Sequence, residues 1–191
     1  MPRESATTIL RWRDASGLGL EHAVFEDRGD GGDVSFDSAV IGSPENHYAI
    51  AYSIHCDRSW RVREASVLLV GAPEPLELRS DGNGHWWGAD GGVLDALSGC
   101  IDIDIVATPL TNTLPIRRLR LRESESATIR VAYIDLPSLA VTAEEQRYTR
   151  LAARTYRFEA VGGDFIRDIE VDEQGFVLDY PGLFTREIDR P

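Results

Sequence analysis

The sequence predicts a mainly β protein: one curled or closed antiparallel sheet with a single short helix, formed by residues 1–191 as one domain. Three observations carry this reading. Stretches of alternating apolar and polar residues recur about every ten positions, with Gly, Pro, Asp and Asn between them. In the cleanest of these, Tyr48, Ile50, Tyr52, Ile54 and Cys56 share one face while Ala49, Ala51, Ser53 and His55 share the other. Within residues 108–118, where the one short helix is expected, Thr108 can cap and Pro109 can open a helix.

In chain order, residues 7–13 and 19–27 alternate as strands. The cluster 27–33 follows, with Asp27, Asp30 and Asp33 at every third position. It reads as a solvated turn rather than a calcium loop, because the ligand pattern and terminal glutamate of such a loop are missing. Strands follow at 34–41 and 48–56. The second has bulky groups on one face and small ones on the other, so both faces should be covered, with a helix close against the small side. Strands at 60–70 and 76–79 lead to Asp81-Gly-Asn-Gly84, a hairpin turn whose glycines can adopt positive φ. His85-Trp86-Trp87 then sends adjacent indoles to opposite faces, and 93–97 is too short for an independent helix.

The stretch 99–122 changes character most often. Ile101, Ile103 and Ile105 alternate with Asp102 and Asp104, as on a half-exposed strand. The next residues are apolar at Leu110, Leu114 and Ile116 yet carry Thr111, Asn112 and Thr113, so the segment should pack against the core. Pro115 should kink or end the helix early, because its ring clashes with the carbonyl four residues back. Beyond it, 128–135 is a strand. Thr142-Ala-Glu-Glu145 satisfies a capping box and 146–154 could be a helix on propensity, but its helical stripe is poor and 156–159 alternates as a strand. Strands at 165–171, 176–180 and 183–188 close the sheet.

With 42% hydrophobic and 27% charged residues the chain has an ordinary globular composition. A net charge of −12 disfavours nucleic acid and anionic bilayers and suits a neutral or cationic partner. Every basic residue except histidine is arginine. No apolar run is long enough to span a bilayer and the N-terminal stretch has no signal-peptide core, so a cytoplasmic location is expected. Cys56 and Cys100 read as reduced, buried thiols.

Catalytic motifs are sparse. There is no Gly-x-Ser-x-Gly elbow, no HExxH and no i, i+4 histidine pair among His22, His47, His55 and His85, so neither metal nor cofactor is expected. Asp102 and Asp104 lie about 7 Å apart along a strand, at the short end of an inverting glycosidase spacing. They can equally pair with Arg117, Arg118 or Arg120. Arg117 and Arg118 can hold an anionic headgroup, with Asn112 and Thr111 reading sugar oxygens. Trp60, Trp86, Trp87 and Tyr180 offer flat faces for a sugar ring.

The run Thr108-Pro-Leu-Thr-Asn-Thr-Leu-Pro-Ile-Arg-Arg-Leu119 resembles the signature of the glycolipid-binding family, long known as a domain of unknown function. Glu21-His22, Tyr52, Cys56-Asp57, Trp60, Gly84, Trp86, Gln146, Tyr148 and the closing Gly175-Phe-Val-Leu-Asp-Tyr-Pro-Gly182 also match, over nearly the whole chain. The resemblance implies a spiral β-roll wound around one helix, a homodimer, and a glycolipid or similar amphiphile as ligand. It also favours a strand, a turn near Ala152 and a second strand over a helix after Gln146. On the residue types above, the headgroup is expected near Asn112, Arg117 and Arg118, with Thr111, Trp60, Trp86 and Tyr180 as further contacts. Two other readings stay open: a glycan- or lipid-modifying hydrolase using Asp102 and Asp104, and a structural or dimerisation module filled by its own side chains.

Overall fold

The structure, a computed structural model, describes residues 5–29 and 32–187. Alternation is converted into strands almost everywhere it occurs. The first half supplies β1 (Ala6–Asp14), β2 (Leu20–Asp27), β3 (Val34–Ile41), β4 (Ala49–Cys56), β5 (Val62–Leu69), β6 (Leu76–Ser80) and β7 (Trp86–Gly88). β8 (Asp102–Ile105) and α1 (Thr113–Leu119) occupy the middle. The second half supplies β9 (Ser126–Ile134), β10 (Val141–Ala152), β11 (Thr155–Ala160), β12 (Ile166–Val171), β13 (Val177–Tyr180) and β14 (Phe184–Arg186). The capping-box pattern at Thr142 is overridden, since β10 pairs residue by residue with β9 from Val141 to Thr149. The final strand was expected to reach 188. That residue, like Asp30 of the 27–33 turn, lies outside the described residues.

All fourteen strands form one curled sheet, in the order β7-β6-β5-β4-β3-β2-β1-β14-β13-β12-β11-β10-β9-β8. Each half is a meander, and the halves join where β1 meets β14, Trp12 opposite Arg186. The central segment lies inside the curl. Residues 108–116 are buried throughout. Leu110 and Leu114 belong to the core of the first half, whereas Ile116 and Leu121 belong to that of the second. One short helix thus holds two apolar faces apart and fills both. This is the spiral β-roll.

Four expectations are corrected. β8 pairs with β9 in parallel, Asp102 opposite Val131, because 106–125 is a crossover that returns the chain in the same direction. Its two faces are also both covered, so the Ile-Asp alternation does not mark a half-exposed strand; Asp102 is fully buried. On β4 the helix segment lies on the bulky side, where Tyr52 reaches Thr108, and the small side carries the exposed Ala51. Pro115 does not end the helix early. It sits at the third position of α1, preceded by a 3-10 turn over Leu110–Asn112, and the first N–H groups of a helix have no partner within it anyway. The helix stops at Arg120, which is left-handed with φ 50°.

Where the two halves connect, the hairpin turn after β6 approaches the start of the β8 stretch. Gly99 donates its N–H to the Gly84 carbonyl at 2.9 Å, and a Cβ on Gly84 (φ 97°) would stand 2.8 Å from the Gly99 Cα. Backbone on backbone cannot yield, so Gly84→Ala is expected to cost about 3 kcal/mol. Gly71→Ala is the control: φ is 96° there but nothing lies within 4 Å, and the loss should be about 1 kcal/mol. Urea unfolding of both variants measures the difference; equal losses would mean that the close approach is unimportant.

Candidate functional site

Curling leaves a cavity of about 660 Å³ between the halves of the sheet. Its walls are apolar and aromatic: Trp12, Val40 and Leu136 on one side, Phe158, Phe165, Tyr180 and Phe184 on the other. At its mouth Leu20 and Ile41, cross-strand neighbours, are 49% and 61% exposed. Its polar groups come chiefly from the strand ends and the central segment, with Glu21, Asp104, Thr108, Asn112 and Gln146 among its lining residues.

Glu21 stands on β2 in phase with Ala23 and Phe25, so strand geometry turns its carboxylate inward with the core. Oε1 accepts hydrogen bonds from Ser38 Oγ (2.8 Å) and the Tyr52 hydroxyl, and Oε2 accepts one from Thr108 Oγ1 (2.6 Å). Thr108 Oγ1 in turn accepts the Leu110 N–H at 3.0 Å, which ties the carboxylate to the start of the helical segment. Burial pushes the Glu21 carboxyl up to about 7, although the Thr108, Tyr52 and Ser38 hydroxyls pull it down.

Asp104 projects from β8 toward the same cavity. Its Oδ1 accepts from Thr111 Oγ1 at 3.0 Å and its Oδ2 from Gln146 Nε2 at 2.7 Å. Burial raises this carboxyl as well, against those two hydrogen bonds. Asn112 accepts the Tyr148 hydroxyl at 2.9 Å and donates to the Pro109 carbonyl at 3.2 Å, which fixes its amide orientation at the cavity wall. The phenols respond to this environment. Tyr133 is pushed up to about 12 by burial and by the charges of Asp104 and Glu144, and Tyr180 is raised by burial and by Asp104.

Of the residues singled out from sequence, Asn112 and Tyr180 line the cavity. Thr111 stands behind the wall and orients Asp104. Arg118 grips the buried Asp102, with Nε 3.0 Å from Oδ1 and Nη2 2.5 Å from Oδ2. Arg117 donates to the Gln174 carbonyl at 3.0 Å and lies 4.7 Å over the Trp60 ring. Trp60 itself is buried among Phe25 and Phe36, and Trp86 is buried with its indole N–H on the Cys100 carbonyl at 2.7 Å. Asp102 does not share the cavity with Asp104. Sequence reasoning passed over Glu21 and Gln146 as site residues. Glu21 had a signal: a carboxylate in register with Ala23 and Phe25 has to be buried. Gln146 similarly shares a face with Tyr148.

Among the described residues no group of three or more His, Cys, Asp or Glu side chains is placed to hold a metal ion. Both cysteines are free and buried, and burial raises each thiol. No helix among the described residues is long and apolar enough to cross a membrane. The arrangement is equipped to take an apolar body against aromatic walls and to hydrogen-bond a polar end at Asp104, Asn112 and Glu21.

A family model described as "Putative glycolipid-binding" matches residues 9–186. Among solved structures, a crystal structure of a DUF1089 family protein from Pseudomonas aeruginosa is similar, with 35% sequence identity and a TM-score of 0.75. The match covers 98% of this chain and 94% of that one. No match was found among curated proteins.

Proposed function

Because the chain belongs to the family described as "Putative glycolipid-binding", we propose that it is a binding module for an amphiphile, held in the cavity between the two halves of the β-roll. The observation that carries this reading is the lining: aromatic and aliphatic walls with polar groups gathered at Asn112, Asp104, Gln146 and Glu21. A volume of about 660 Å³ falls within the range of pockets that enclose small organic ligands. The alkyl part packs against Phe158, Phe165, Phe184 and Trp12, and the sugar hydroxyls meet the amide and carboxylates. Arg117 and Arg118 take no part in this arrangement, being committed to Gln174, Trp60 and Asp102.

The test is a chain-length series of alkyl glucosides read by calorimetry. Each methylene buried is worth about 0.8 kcal/mol, so affinity should rise roughly fourfold per carbon until the cavity is filled. Ala160→Trp, which places an indole on the cavity wall, should abolish that increment while the melting transition remains cooperative. A series with no dependence on chain length, together with a clean ligand-free mass in native mass spectrometry, would sink the proposal.

A further inference from the structure

We infer that the headgroup this cavity selects is cationic, a protonated amine such as that of an amino sugar, and that anionic headgroups are rejected. The inference rests on the binding role proposed above and specifies its substrate class.

The charge of the lining is one-sided. Asp104 and Glu21 lie within, while Asp14, Glu45, Asp135 and Glu144 stand among the residues of the wall and mouth; among the described residues no arginine or histidine lines the cavity. The nearby Arg167, whose charge is felt at Tyr180, lies 4.6 Å over the Phe165 ring and donates to the Pro181 and Ile166 carbonyls. More telling is how the two inner carboxylates are held. Elsewhere in the protein the fully buried Asp102 is matched by Arg118, and the half-buried Asp172 by Arg186. Glu21 and Asp104 have neutral partners instead, three hydroxyls for one and a hydroxyl and an amide for the other.

An ionised carboxylate offers about four acceptor sites. Asp104 therefore keeps about two unused. A buried carboxylate favours a proton or a cation over remaining charged alone, and an ammonium supplies three donors to those vacant sites. An anion brought into the same space would meet like charge in a poorly screened setting. The neighbouring phenols, raised by burial and by Asp104, register the same negative field.

The experiment uses the whole chain and three octyl ligands at pH 7: octyl 2-amino-2-deoxyglucoside, octyl glucoside and octyl glucuronide, each titrated by calorimetry. The amine is expected to bind about tenfold more tightly than the neutral sugar, the difference between a charge-assisted and a neutral hydrogen bond. The glucuronide should bind at least about tenfold more weakly than the neutral sugar. Asp104→Asn should bring the amine-to-neutral ratio close to one. Equal binding of amine and neutral sugar, or binding of the glucuronide as tight as either, overturns the inference while leaving the amphiphile role standing. No binding of any of the three removes both. Because the ranking is measured on the unaltered chain, it decides the question even if the Asp104 variant does not fold.

Discussion

Replacing Arg118 with alanine should lower folding stability by about 3–5 kcal/mol, the largest loss expected from any single charged residue of this protein. Asp102 is fully buried on β8 and Arg118 is its bidentate partner from the last turn of α1. Burial pushes the Asp102 carboxyl above the ordinary range and Arg118 pulls it back. Without the guanidinium the carboxylate must either stay charged in the core or take up a proton, and the second route becomes harder as pH rises. The loss should therefore be greater at pH 8 than at pH 5. The double variant Asp102→Leu with Arg118→Met should recover most of it, since apolar groups of similar size tolerate the same site. Urea unfolding of the three proteins tests this, and a loss below about 1 kcal/mol for Arg118→Ala would show that the pair behaves as an exposed ion pair.

The second large effect is a pH dependence that runs opposite to acid denaturation. Glu21 is raised from its usual 4.5 to about 7, so between those values the folded protein binds a proton that the unfolded chain releases. Stability contributed by this group is present in full below about pH 4.5 and is lost as pH climbs through 7. A shift of this size corresponds to about 3 kcal/mol. Glu21→Gln keeps an oxygen for Ser38 and Tyr52 and removes the titration. The variant should be more stable than the parent at pH 8 and closer to it at pH 5, with the gap opening by about 3 kcal/mol between them. Asp102, Asp104 and Glu144 are also raised and slope both proteins alike, so the difference between the two curves isolates Glu21. Asp81 and Asp168, lowered chiefly by hydrogen bonds from Asn83 and Arg157 respectively, act only at more acid pH. Parallel curves for parent and variant would rule out the buried, shifted carboxyl.

Much of the fold could be read from the chain because its determinants are local. Alternation at 34–41 and 48–56 and the glycines of the Asp81–Gly84 turn required only neighbours to be interpreted. Thr108 and Pro109 marked the helical segment, but they precede a 3-10 turn over Leu110–Asn112, and the α-helix itself is capped at Asn112 and begins at Thr113. What escaped depends on contacts distant in sequence. Ile-Asp-Ile-Asp looks the same on an exposed strand and on one covered from both sides, and the difference here is α1 lying across β8. Trp60 and Trp86 carry the same flat faces whether they meet a sugar or, as they do, Phe36 and the Cys100 carbonyl. The cavity wall was partly visible through Asn112 and Tyr180. Its carboxylates were less so: only the phase of Glu21 with Ala23 and Phe25 gave one of them away.

The junction of β1 with β14 bears on how this protein is made. Neighbouring hairpins can zip up as they leave the ribosome, but the seam at the sheet's centre unites strands separated by some 170 positions, Trp12 with Arg186 among them. Such closure is slow because its entropy is lost before any contact rewards it. A nascent chain thus carries two half-rolls with raw inner edges until β14 emerges, and that interval is when a chaperone has most to offer it.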